Sequence, residues 1–288
     1  AHTSRAESPQ KLNSCDTCSM LEALFLGLIQ GLTEFIPVSS SAHLRIVGEF
    51  LPSAKDPGAT FTAITQIGTE LAVLLYFRKD ILRILGAWFK RDGSSDARLG
   101  NLIIIGTLPI VALGYLGQSY IRDNFRSLWI VATMLILFGL ILGLADKLGK
   151  REKTLERLNN RDGILYGFAQ SLALIPGVSR SGATIALGRT VGYTREAALR
   201  YSFLLALPAV FGSGLYELKS ALGESSTNTF TLTETFGATA VAFIVGYSVI
   251  AWLMKFISTK TFTPFVIYRV VLGTALLVAL ATGTISAQ

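Results

Sequence analysis

The sequence predicts an all-α polytopic membrane protein, an inverted-topology repeat in which each half is one re-entrant helical hairpin plus three transmembrane helices. Three observations predict it. Apolar residues make up 51% of the chain and charged residues only 16%, where a soluble domain carries about a quarter charged. Uncharged runs such as Leu99–Ile121, Ser127–Ala145 and Phe236–Met254 are long enough to cross about 30 Å of hydrocarbon. Finally, one polar pattern occurs twice. Gly27, Gln30, Glu34, Pro37 and Ser39-Ser40-Ser41-Ala42-His43 are echoed by Gly167, Gln170, Pro176-Gly177 and Ser179-Arg180-Ser181-Gly182-Ala183-Thr184. Broken helices and polar side chains are costly at bilayer depth, so a duplicated pair of them points to a buried site.

Taken in order, Ala1–Ser19 is polar and unpatterned and reads as a disordered upstream extension or expression remnant. It holds both cysteines, Cys15 and Cys18, whose spacing alone is a weak metal or redox signal. The first repeat is expected over 20–146. Met20–Ile36 is apolar but short for a span and is ended by Pro37, and Val38–Leu51 returns as its partner. Ala59–Phe77 is the first full span and carries Gln66 and Glu70 inward. Arg78–Arg98 reads as a basic loop. Leu99–Tyr120 and Ser127–Ala145 are spans joined through Arg122, Asp123 and Arg126. A basic linker occupies 147–161. The second repeat, 162–288, opens with Gly163–Ile175, broken by Pro176, and its partner Gly182–Val191. Spans follow at Ala197–Tyr216, Phe236–Phe256 and Phe265–Thr282, the first two joined by the Ser/Thr-rich link Lys219–Glu234.

Three spans per half is an odd number, so the second copy is upside down relative to the first. Sites in such folds form near the midplane between paired broken helices. The net charge of +7 gathers in the segments between spans and places them in the cytoplasm. It does not suggest nucleic acid. Both termini and the mouth of the first hairpin then lie outside.

The second hairpin has the makings of an anion cradle. A helix N-terminus offers free N–H groups and a positive dipole end, Gly177 lets backbone approach an anion, and Arg180 can grip phosphate through two donors. Ser179, Ser181 and Thr184 add hydroxyls. The plainer alternative is a Pro-Gly break capped by serines. The first hairpin supplies an acid (Glu34), hydroxyls (Ser39, Ser40, Ser41) and an imidazole (His43), a set suited to acid–base or nucleophilic chemistry. Gln30 lies one turn before Glu34, on the same helix face, and with Gln66 would support the site from behind. Glu70 reads either as a similar supporting residue or, preferred, as the structural partner of an arginine such as Arg269 or Arg200.

These motifs resemble those of the integral-membrane undecaprenyl-diphosphate phosphatases, the bacitracin-resistance proteins. The resemblance runs from Met20 to the C-terminus. It implies hydrolysis of undecaprenyl diphosphate to the monophosphate and inorganic phosphate, recycling the lipid carrier of cell-wall synthesis. It also implies a plasma-membrane site between the hairpins that opens outward, and a divalent cation, Mg²⁺ or Ca²⁺. The family motif admits Glu or Gln where this chain has Gln30, which removes one carboxylate from the first helix. On this reading the catalytic set is Glu34, Ser40, His43 and Arg180, with Glu34 as the metal ligand. Attack by Ser40 assisted by His43 is preferred; attack by His43 or by an activated water is the alternative. The partners are the polyprenyl diphosphate and membrane lipids, with a homodimer left open. The competing class is a transporter of a phosphorylated polyprenyl lipid or another anion, which the same architecture would serve.

Overall fold

Pro37 and Pro176 set the plan of the molecule. The structure, a computed structural model, describes residues 9–52, 57–125, 127–223 and 229–286, with backbone alone at 9–17, 118–119, 122–124 and 223. All named elements are helical. The first half comprises α1 (Pro9–Thr33), α2 (Ser40–Gly48), α3 (Gly58–Tyr76), α4 (Arg78–Lys90), α5 (Ser95–Asn124) and α6 (Leu128–Leu148). The second comprises α7 (Asn160–Ser171), α8 (Arg180–Thr190), α9 (Arg195–Gly223), α10 (Leu232–Thr259) and α11 (Thr263–Ala281). Among the described residues six helices are long and apolar enough to cross a membrane: α3, α5, α6, α9, α10 and α11. The protein is a multi-pass membrane protein.

The two halves interlock. α1 packs on α10 of the other half and α7 packs on α5, while α3 lies against α9 and α6 against α11. Glycines make the two hairpin contacts close. A Cβ on Gly27 would sit 2.4 Å from the Ala238 carbonyl oxygen, and one on Gly167 would sit 2.6 Å from that of Gly106. Both positions come from the duplicated sequence pattern.

Three expectations need correction. The segment Arg78–Arg98 is not simply a loop, because α4 fills most of it. Its Ile84 and Ala87 are buried while Leu82 and Phe89 are exposed, which is the two-sided profile of a helix lying along a surface. The helix α1 begins at Pro9, so the part of the expected extension from Pro9 to Ser19 continues that helix; residues 1–8 lie outside the described residues. The link between α5 and α6 shortens, since α5 runs to Asn124; its Arg126 lies outside the described residues, as do residues 224–228 of the Ser/Thr-rich link.

The basic linker is folded down by a buried arginine. Arg189 of α8 is fully buried, meets Asp146 at 3.0 Å through Nε, and donates to the carbonyls of Gly149 and Tyr193. Arg195 reaches the same carboxylate at 2.7 Å. This network fixes where α8 ends, and hence where its other end, at Arg180, must lie.

Candidate active site

Each hairpin breaks at a serine held in left-handed backbone. Ser39 has φ 75° and Ser179 has φ 69°, a conformation that costs a non-glycine residue about 1–3 kcal/mol and persists only where surroundings enforce it. In both hairpins this serine Oγ lies 3.2 Å from the Oγ of the serine two residues on, Ser41 or Ser181. Ser179 also caps α8, its Oγ accepting from the Gly182 N–H at 3.1 Å. Two helices therefore start from matching turns, each presenting the free N–H groups of a first turn.

Those two helix starts converge on Glu34. Ser40, the first residue of α2, donates its hydroxyl to Glu34 Oε2 at 2.6 Å. Arg180, the first residue of α8, donates from Nη2 to Glu34 Oε1 at 2.6 Å. Gln30 Nε2 donates to the same Oε2 at 2.7 Å. Glu34, Ser40 and Gln30 are all buried. A carboxylate held by an arginine, a hydroxyl and an amide beside two helix starts occupies the kind of place that a phosphate would take.

A fourth group joins them. Glu70 of α3, fully buried, accepts from the same Arg180 Nη2 at 2.7 Å. Its expected partners were Arg269 or Arg200; Arg200 instead pairs with Asp80, and Arg269 meets no carboxylate within ion-pair distance among the described residues. The remaining Arg180 donors, Nε and Nη1, make no hydrogen bond among the described residues.

His43 is close by but does not face Ser40. Its Nδ1 lies 2.7 Å from the Ser39 carbonyl oxygen and its Nε2 lies 2.7 Å from the Tyr268 hydroxyl, with the two rings stacked. A carbonyl only accepts, so Nδ1 carries the hydrogen and Nε2 of the neutral ring accepts from Tyr268. The expected Ser40–His43 pair is thus replaced by Ser40–Glu34, and His43 braces the strained turn at Ser39.

Other expected ligands are turned to structural use. Thr184 is fully buried, donates to the Arg180 carbonyl at 2.8 Å and meets Ser202 Oγ at 2.5 Å, so its hydroxyl joins α8 to α9. At Gly177 (φ 93°) a Cβ would meet the Val131 carbonyl oxygen at 2.5 Å; the glycine serves close packing on α6. Gln66 makes no hydrogen bond to Glu34 among the described residues. It lines, with Ser41, Leu44, Val131, Leu174 and Pro176, a largely apolar groove of about 340 Å³ beside the two hairpin tips.

A family model described as bacitracin resistance protein BacA matches residues 23–275. The chain belongs to that family. It is 61% identical over 274 residues to the undecaprenyl-diphosphatase of Micrococcus luteus, an alignment covering 93% of this chain and 99% of that one. It is 59% identical to the undecaprenyl-diphosphatase of Paenarthrobacter aurescens, covering 93% and 99%, and 60% identical to undecaprenyl-diphosphatase 2 of Agrobacterium fabrum, covering 93% and 98%.

In this BacA-family chain sequence reasoning named Arg269 only as a partner for Glu70 and missed its role as a hub. Arg269 of α11 is fully buried and donates to five carbonyls. Nη1 reaches Pro37 at 3.0 Å, Nη2 reaches Gly177 at 2.9 Å, Val178 at 3.1 Å and Met134 at 3.2 Å, and Nε reaches Leu135 at 3.1 Å. Both hairpin breaks expose carbonyls that no helix can satisfy, and one guanidinium ties them to α6. Arg269→Leu should destabilise the protein by at least about 3 kcal/mol, since it orphans several buried acceptors at once. Arg269→Lys should recover little, because an ammonium brings three donors to five carbonyls. Denaturant unfolding in detergent measures both.

The donor set also suits a divalent cation. Hard cations take oxygen ligands, and Mg²⁺ is commonly held by one or two carboxylates together with phosphate oxygens. The Glu34 carboxylate lies beside the Ser40 hydroxyl, and the second oxygen of Glu70, Oε2, is buried without a hydrogen-bond partner.

Proposed function

We propose that the chain hydrolyses undecaprenyl diphosphate to undecaprenyl phosphate and inorganic phosphate. The reaction takes place at the outer face of the bacterial plasma membrane, in a site formed where two inverted hairpins meet. The lipid carrier of peptidoglycan synthesis is thereby recycled, and bacitracin resistance follows from the supply of the monophosphate. The observation that carries the reading is the meeting of Ser40, Glu34 and Arg180, drawn from opposite halves of the chain and joined by contacts of 2.6 Å.

The parts divide the work. The groove beside the tips takes the start of the prenyl chain and leaves the diphosphate at the two helix N-termini. Arg180 neutralises charge growing on the phosphoryl oxygens with the donors it does not spend on Glu34 and Glu70, which is the main way a protein assists phosphoryl transfer. Ser40 Oγ attacks the terminal phosphorus and its proton passes to Glu34. The bond from that phosphorus to the bridging oxygen breaks, and undecaprenyl phosphate leaves with the electron pair. Water then attacks the phosphoserine phosphorus and passes one proton to the protein as the P–Oγ bond breaks; Ser40 Oγ leaves with the electron pair, takes back the proton held by Glu34, and inorganic phosphate is released. Glu34 would also be the ligand for Mg²⁺ or Ca²⁺, and such a cation would supply neutralising charge for the diphosphate.

Phosphate release from lipid diphosphate by purified protein tests this directly. The expected result is multiple turnovers that rise with Mg²⁺ or Ca²⁺ and stop on chelation. A transporter would bind the lipid and release no phosphate.

A further inference from the structure

We infer that Glu70 is a second carboxylate ligand for the divalent cation of this site, standing in for the acid that Gln30 withholds from α1. The purpose of such a cation rests on the phosphatase reading above; the geometry does not. Glu34 and Glu70 both bring Oε1 to a single nitrogen, Arg180 Nη2, at 2.6 and 2.7 Å. The two carboxylates therefore face one another across one atom, although they belong to different helices.

A purely structural ion pair would be built otherwise. Buried Arg–carboxylate pairs gain most from two parallel bonds, one per oxygen. Glu70 uses one oxygen and leaves Oε2 buried and unpartnered; Gln30 Oε1, also buried, is unpartnered too. Buried acceptors without donors are rare and expensive. An oxygen of this kind, next to a second carboxylate, is placed to take a cation.

Charge and position agree. Two carboxylates against one guanidinium leave the trio negative, which repels a diphosphate unless further positive charge lies between them. Glu70 is one turn beyond Gln66 on the same face of α3, and Gln66 lines the groove at the hairpin tips. The groove thus ends one helical turn from Glu70.

The test is Mn²⁺ binding without substrate, followed by electron paramagnetic resonance on the purified full chain in neutral detergent. Mn²⁺ reports on oxygen sites that take Mg²⁺. Glu70→Gln should weaken Mn²⁺ binding by at least about tenfold. The double variant Gln30→Glu with Glu70→Gln should recover most of the affinity, because residue 30 already touches the Glu34 carboxylate. Absence of Mn²⁺ binding by the wild type, an unchanged titration in Glu70→Gln, or a loss that the double variant does not recover would each overturn the assignment. Phosphate release is read separately on the wild type, so a protein that binds Mn²⁺ through Glu70 yet releases no phosphate would reject the phosphatase reading alone.

Discussion

Arg180→Ala should lower turnover by about two to three orders of magnitude, the usual cost of removing a donor aimed at transition-state charge. The residue joins the acid of the first hairpin to that of α3, through Nη2 to Glu34 and Glu70. Its other donors make no hydrogen bond among the described residues, so they are available to phosphoryl oxygens without disturbing those contacts. Removing it also leaves Glu34 and Glu70 opposed in a buried site, and this destabilises the fold as well as the chemistry. Melting in detergent separates the two effects. Arg180→Lys keeps the charge and should keep most of the stability. It should still lose most of the turnover, because one ammonium on a flexible stem cannot hold two carboxylates and a phosphoryl group at once. Near-normal turnover in a folded Arg180→Ala protein would mean that the hairpins bind their anion without this guanidinium.

The sequence makes the hairpins legible because proline, glycine and hydroxyl residues break helices wherever they fall, and a membrane leaves such breaks few tolerable settings. The convergence of Glu34 and Arg180 follows by the same logic, since neither can face lipid and each is placed by its own break. Glu70 is a different case. It sits inside an unbroken span, so its sequence neighbours say that it turns inward but not toward what. Charge complementarity offers Arg269 and Arg200 as equals of Arg180. Arg269 answers a demand that residue types do not encode, the five carbonyls exposed by two breaks and by α6. For α4 a signal existed. Ile81, Ile84, Leu85 and Trp88 recur at helical spacing within Arg78–Lys90, and a charge count hides that period where a periodicity count finds it.

Ser40 and His43 show how one backbone angle can redirect a site. Three residues apart on a helix, they share a face, which made them the natural nucleophile and base. Ser39, however, turns through left-handed backbone, and its carbonyl takes the His43 Nδ1 hydrogen while Tyr268 takes the other nitrogen. The base within reach of Ser40 Oγ is Glu34, at 2.6 Å. Ser40→Ala should therefore cut turnover by at least about 10³-fold, the scale on which enzymes lose a covalent nucleophile. Rapid quench with labelled lipid diphosphate should trap a phosphorylated wild-type protein and none from the variant. Were the attacking group a water aligned by Glu34, Ser40→Ala would remove only one hydrogen bond and cost about tenfold, with no adduct in either protein. Tyr268→Phe frees His43 without touching Ser40 or Glu34. It should lower turnover far less than Ser40→Ala and leave the adduct detectable, because the imidazole holds the turn that aims the hydroxyl and does not take its proton.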